Sequence, residues 1–532
     1  MESVRRRVAM VAGVLALGSV VQAGAARAAD PIRISTPSRM TTDADPTRTY
    51  GSPYVLVDPH NRLNVVAATV EMRTQVCSLF RSADGGQTWK KLDALPGPRD
   101  YPFCFQPSGS VTESPMAWGR NGTLYYALVG WDVSDGGDTS GNLSTLVARS
   151  TNLGTSWTTT VARNNRGKTG TDIETDRPVS GLAVDSSGPQ DVVYVTYRRN
   201  LSGQPVRPVV ATSTDGGKTF GDPVDMEDAW AKDPKNITGT IPDDKKLPAN
   251  MTGFNPIATT DNKGTLYVMW ERRTSNITPT PNFAYYVSKS TDHGKTFTTY
   301  EAFPETPNLA GGFITWSKQG GAQGTLLAAW HAKPGQTQGE TDIYFRRSLD
   351  GGKTWSEAKR LNDDDPAKFN TQLLPDLSVA PNGRIDAVWW DFRDDPGLYV
   401  NDVYYTYSTD DGVTWAKNIR ITDQSVNRKI GPWSNGFDMR QPPGVASTND
   451  YAIIAWDDTR NGDTVGQAQD MYSATAQFKT LTSGTPNAVR YVLSALGGVA
   501  VVGVILLIVA TTRRRKTPAA ASTTTRPPVP AK

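Results

Sequence analysis

Four times in the chain an acidic residue is followed two positions later by an arginine, at the end of an apolar run. The pairs are Glu71 with Arg73, Glu271 with Arg273, Asp391 with Arg393, and Asp458 with Arg460. Residues two apart in a strand share a face, so the pattern supports two readings. One is a repeated ion pair that braces a rim. The other is a guanidinium fork for an anionic ligand, set beside a carboxylate able to move a proton. Arg177 and Arg440 stand outside this pairing and are the better candidates for ligand contact, with Arg273 and Arg393 next. Metal chemistry has little to draw on. With 3 His and 2 Cys, the three or four close ligands of a zinc site are hard to assemble. The acidic loops 363–365 and 132–138 offer oxygen ligands for Ca²⁺, but neither follows the twelve-residue pattern of an EF-hand. No cofactor is expected.

Such residues need a scaffold, and the chain supplies one by repetition. One octet recurs six times, beginning at Ser82, Ser150, Ser213, Ser290, Ser348 and Ser408. Its third position is Asp84, Asn152, Asp215, Asp292, Asp350 or Asp410, its fifth is Gly, its seventh Thr or Ser, and its eighth Trp or Phe. This is the chemistry of a hairpin turn: a carboxylate caps its own loop's N–H groups, glycine takes a left-handed conformation, and an aromatic ring packs behind. Apolar runs precede the octets at 63–70, 123–131, 192–197, 265–270, 325–330 and 384–390, with a seventh at 451–456. Shorter strands come before these, as at 54–58, 181–185, 377–381 and 444–447. Four short strands per unit, repeated without helical periodicity, predict an all-β fold: a seven-bladed β-propeller of four-stranded antiparallel blades, with six blades as the runner-up. The seventh unit lacks an octet. The segment 31–35 matches 418–422, the fourth strand of unit six, so the N-terminal strand is expected to complete the last blade and remove its open edge.

The ends set the expected compartment. Residues 1–29 read as a signal peptide, with Arg5–Arg7, an apolar stretch and Ala26-Arg27-Ala28. Residues 491–511 are apolar and long enough to cross a bilayer as a helix, and Arg513, Arg514, Arg515 and Lys516 place the C-terminus in the cytoplasm. The expected order is signal peptide 1–29, propeller 30–480, linker 481–490, membrane helix 491–511 and a disordered tail 512–532, in a single-pass cell-membrane protein with its propeller outside. In that oxidising space Cys77 and Cys104 are expected to form a disulfide, two free thiols being the alternative. The 56 basic and 53 acidic residues leave a net charge of +3, which argues against nucleic acid as partner. The 225–253 segment is long for a blade connection and reads as a lid or partner-binding loop. A monomer is expected.

The octets resemble the Asp-box (BNR) repeats of the sialidase/neuraminidase superfamily, and the run Trp389-Trp390-Asp391-Phe392-Arg393-Asp394 is similar to exported bacterial BNR-repeat proteins. The resemblance covers roughly residues 50 to 475 and implies an exo-glycosidase acting on terminal acidic sugars. That activity would use clustered arginines on the sugar carboxylate, an acid/base carboxylate and a Tyr nucleophile beside a Glu. Asp391 and Glu271 are the acid/base candidates, and Arg177, Arg440, Arg393 and Arg273 the substrate contacts. One position departs: the family's first arginine falls where this chain reads Tyr50-Gly51-Ser52-Pro53. The alternative is a non-catalytic propeller that binds a glycan or cell-envelope protein through its channel face.

Overall fold

The computed structural model describes residues 32–478 except 43–47, 74–75, 93–114, 132–142, 164–176, 200–206, 227–252, 274–281, 308–309, 321–322, 333–340, 369, 396 and 432–441. The leader and the 491–511 run therefore lie outside the described residues. Among those described, no helix is long and apolar enough to cross a membrane.

Seven antiparallel sheets form, one per unit. Blade 1 runs Tyr50–Val57, Val65–Glu71, Val76–Ser82, Lys90–Leu92, and blade 2 runs Met116–Trp118, Leu124–Trp131, Leu143–Ser150, Thr158–Arg163. Blade 3 is Arg177–Asp185, Val192–Arg199, Arg207–Ser213, Val224–Asp225; blade 4 is Gly253–Thr260, Leu266–Arg273, Asn282–Ser290, Thr298–Pro307. Blade 5 is Ala310–Ser317, Thr325–Ala332, Asp342–Ser348, Lys359–Arg360; blade 6 is Gln372–Val379, Ile385–Asp391, Val400–Ser408, Ile419–Arg420. Blade 7 takes Gly444–Ser447, Tyr451–Asp458 and Asp470–Gln477. First strands touch in sequence around an axis, and that of blade 7 returns to that of blade 1. The array is a closed seven-bladed propeller.

Second strands are the apolar runs, and they lose both faces to neighbours. Every described side chain of Thr325–Ala332 and Tyr451–Asp458 is buried. That explains why they read as continuous apolar stretches rather than as alternating ones. The core lies between blades: Trp390, Tyr405 and Val403 of blade 6 pack against Trp456, Ile454 and Ala474 of blade 7.

In each octet the serine hydroxyl accepts the N–H of the fifth-position glycine and donates to the third-position side chain, as in Ser213 (2.8 and 2.7 Å). Asp215 then accepts from the Thr219 N–H (2.9 Å) and hydroxyl (2.6 Å). Partial burial opposes charge on Asp84, Asp215, Asp292, Asp350 and Asp410, but these hydrogen bonds outweigh it and hold each below the usual carboxylate range. Asn152 keeps the same geometry without charge, accepting the Ser156 N–H at 2.9 Å. Both the fourth and fifth positions are left-handed. The fourth tolerates Leu153, His293 and Asp411. The fifth is always glycine because it also abuts the preceding blade: a Cβ on Gly412 would lie 2.5 Å from the Phe345 ring.

The last blade closes as its pattern predicts. Arg33–Ile34 pairs antiparallel with Asp470–Gln477, Arg33 opposite Gln477 and Ile34 opposite Ala476. Ser38–Arg39 adds to the same strand. A buried carboxylate bolts this clasp: Asp470 accepts from Arg48 Nε (2.7 Å), Arg39 Nη2 (3.0 Å), Thr41 Oγ1 (2.7 Å) and Asn461 Nδ2 (2.8 Å).

Candidate functional site

The octet turns share one face of the disc with the turns between first and second strands. The Gly85 N–H donates to the Leu63 carbonyl and the Gly216 N–H to the Asp191 carbonyl. First strands therefore start, and second strands end, on the opposite face. There the first strands of blades 1, 4, 5 and 6 break register, each around a left-handed residue: Ser52, Asn255, Gly311 or Leu374. These are β-bulges, which re-aim side chains at a rim. Proline follows three of them, at Pro53, Pro256 and Pro375.

The bulge in blade 4 turns Asn255 onto Glu271, and Asn255 Nδ2 donates to Glu271 Oε1 at 2.6 Å. Across the strand pair, Tyr285 lies opposite Glu271 and hydrogen-bonds to it. The Tyr285 oxygen also accepts the Gly312 N–H of blade 5 at 2.7 Å. Glu271 is 3% exposed. Burial pushes its carboxyl up to about 7, against the hydrogen bond from Asn255 and the charge of Arg198. Burial, and then the Glu271 charge, drive the Tyr285 phenol well above its ordinary value. Tyr285 is thus a lasting proton donor to Glu271 rather than a resting phenoxide. A cavity of about 20 Å³ between Glu271, Asn255, Gly312, Leu374 and Pro442 adjoins the carboxyl. That is room for one water.

Blades 5 and 6 carry two further buried titratable groups. His331 Nδ1 accepts the Leu374 N–H at 3.2 Å, and burial lowers its value to about 4, so it is neutral. Asp376 accepts the N–H groups of Leu377 (2.8 Å) and Val445 (2.9 Å), and burial, opposed by those bonds, raises it to about 7.

The other sequence candidates are placed as follows. Asp391 is 1% exposed, and its oxygens accept from Trp389 Nε1 (2.9 Å), Arg393 Nη2 (2.8 Å), the Arg393 N–H (2.8 Å) and Gln372 Nε2 (3.2 Å). Arg393 reaches on to Asp363 (2.8 Å) and lies over the Tyr404 ring. This unit, and Arg460 with Asp458 at 2.8 Å, follow the bracing reading of the acid–arginine spacing. Glu71 and Arg73 instead converge on Thr49, one through its N–H and the other through its hydroxyl. Arg177 opens the first strand of blade 3 and Arg273 ends the second strand of blade 4, but their side chains lie outside the described residues, as does Arg440 altogether. At Gly51 a Cβ would meet the Met72 side chain at 3.2 Å and Gln469 at 3.5 Å, so this position is filled by packing. Asp363 and Asp364 are engaged by Arg393 and Arg360. No cluster of three metal-ligating side chains occurs among the described residues, and the 132–138 loop is outside them. Cys77 is disulfide-bonded; the chain's other cysteine, Cys104, is outside the described residues.

Tyr285, Arg198 and His331 escaped the sequence reading. Their partnership depends on strand register across connections such as 274–281, whose length gives no turn type to count from.

Residues 240–434 match the BNR repeat-like domain family, so the Asp-box resemblance is borne out over that stretch. No curated protein matches. Among solved structures, a Hadza microbial sialidase aligns at 13% identity over 76% of this chain and 74% of its own, with a TM-score of 0.42. A Penicillium chrysogenum α-L-arabinanase aligns at 13% identity over 67% and 94%, TM-score 0.41. A Dyadobacter fermentans protein of unknown function aligns at 12% identity over 84% and 99%, TM-score 0.44.

Proposed function

We propose that this protein is a membrane-anchored, outward-facing BNR-repeat propeller of the exo-glycosidase kind. It would act on terminal acidic sugars at the strand-start face, with Glu271 as the proton-handling group. One observation carries the reading: Glu271 is a buried carboxyl on the strand-start face, held by Asn255 and Tyr285 beside a cavity with room for one water, and burial pushes it up to about 7, where an acid/base group works best near neutral pH. Asn255 fixes one carboxyl oxygen, and Tyr285, protonated at any physiological pH, supports the carboxylate each time the proton leaves. Arg177, Arg440 and Arg273 remain the guanidinium candidates for a sugar carboxylate. The leader 1–29 and the apolar run 491–511 support the anchored placement, which resistance of full-length protein to alkaline extraction from membranes would test.

The test of activity is release of a fluorophore from a sialoside and a glucuronide, with an arabinoside as neutral comparator. Glu271→Gln keeps shape and should lower turnover by about 10²–10⁴-fold without shifting the melting temperature downward. Turnover unchanged in that variant would sink the assignment. A second reading, a non-catalytic binder of a glycan or envelope protein, is favoured by Gly51, which stands where the resembling motif has arginine and is walled by Met72 and Gln469. Saturable binding of the same sugars with no release at all would select it.

A further inference from the structure

The face that carries the octets has a groove of about 410 Å³ between blades 2 and 3, within the size range of small-ligand sites. Three cations and two carboxylates line it: Arg120, Arg149, Lys218, Asp191 and Asp215. Both carboxylates are already engaged. Asp191 accepts the Arg120 N–H (3.0 Å), the Tyr125 hydroxyl (3.0 Å) and the Ser186 hydroxyl (2.7 Å), and Asp215 serves its octet. Arg120 is spent as well, on the carbonyls of Ser186 (2.6 Å) and Gly188. The Lys218 ammonium has no partner among the described residues.

The repeat supplies an internal control for Arg149. Arg149 and Arg347 occupy the same place, one residue before the octet serine, and each points at the fourth position of the next blade's octet. Arg347 finds Asp411 there, its Nη1 3.0 Å from the carboxylate. Arg149 finds Gly216 and reaches only its carbonyl oxygen, at 3.3 Å. Where blade 5 consumes its guanidinium in an ion pair, blade 2 leaves most of the fork turned toward the groove. Asn152, in place of the usual aspartate, removes a further negative charge from this edge. Trp157 borders the same space, its ring turned back onto Tyr126 and the core between blades 1 and 2.

We propose that this groove is a second ligand subsite, separate from the channel mouth, that takes a carboxylate-bearing sugar. The carboxylate sits between the Arg149 guanidinium and the Lys218 ammonium, and that the ligand is a sugar rests on the acidic-sugar reading proposed above.

The test reads Lys218 directly. Full-length protein is treated with an amine-acetylating reagent, with and without the methyl glycoside of N-acetylneuraminic acid, and modification of Lys218 is followed by mass spectrometry. Methyl galactoside is the neutral comparator. The neuraminide should protect Lys218 and the galactoside should not. Two variants should raise the half-protecting concentration by about tenfold or more. Arg149→Met removes the fork. Gly216→Asp installs the carboxylate that Asp411 provides in blade 6. The backbone accepts that change, because Leu153, His293 and Asp411 hold the equivalent position at φ 57, 60 and 61° against 73° at Gly216. A Cβ there would meet its nearest neighbour, the Tyr125 hydroxyl, at 3.6 Å. Lys218 labelling indifferent to the neuraminide, equal protection by galactoside, or protection intact in both variants would each overturn the proposal.

Discussion

Replacing Asp470 by alanine should loosen the seam that joins the two ends of the propeller. Its side chain is 1% exposed, and Arg48, whose Nε lies 2.7 Å away, is 9% exposed. Breaking a buried pair by removing one partner costs about 3–5 kcal/mol. Arg39, with its side chain 31% exposed, adds less than about 1 kcal/mol once solvent screening is counted. The expected loss is therefore about 4 kcal/mol, or roughly a thousandfold in the opening equilibrium. The loss should appear locally first. The N–H groups of Ser35 and Met40 donate to the Thr475 and Met471 carbonyls across the seam, so their hydrogen exchange should accelerate more than that of the octet glycines. Urea unfolding supplies the global number. The double variant Arg48→Met with Asp470→Leu replaces the pair by apolar side chains and should recover most of the loss. A single Asp470→Ala variant within about 0.5 kcal/mol of the parent, with unchanged exchange at Ser35 and Met40, would refute the reasoning.

Glu271 and Asp376 both hold protons more tightly folded than unfolded, each titrating at about 7. Their stabilising contribution is complete below the ordinary carboxylate range and is lost as pH rises through 7. Stability should thus fall between pH 4 and 8 by an amount on the order of 3 kcal/mol per group, and Glu271→Gln with Asp376→Asn should flatten that slope in denaturant titrations. The octet aspartates act oppositely, being depressed: their contribution is present above pH 4 and lost on acidification, so acid unfolding should advance below pH 4. Gly412→Ala, at φ 80° and facing Phe345, should cost about 2–4 kcal/mol. Gly351→Asn, at a fourth octet position, should cost under about 1 kcal/mol. Equal melting temperatures for these two variants would contradict the distinction between the positions.

The octets and apolar runs made the blade count legible because each reports a local cause: a turn closed by its own side chains, and a strand buried on both faces. The N-terminal strand was legible because 31–35 copies the pattern of 418–422. First strands were read too short at their starts, 54 for an observed Tyr50 and 377 for an observed Gln372. The missed residues include Pro53 and Pro375, which sit in bulges that tolerate a missing N–H. The candidate site was less legible. Glu271 stood out by its type, but its environment comes from Tyr285 across a register and from Gly312 in another blade. The spacing of Asp391 and Arg393 marked them equally well for bracing or for catalysis, and only the four donors around Asp391 separate the two.

The Tyr285 hydroxyl that faces Glu271 is oriented by a backbone N–H belonging to the next blade, at Gly312. Acidity at the hub is therefore a property of how two neighbouring wedges meet. Any slight splaying of the wheel, by heat or by docking against its flank, would withdraw that N–H and change how readily Glu271 gives up its proton. The carboxyl would act as a built-in gauge of whether the wheel is fully seated.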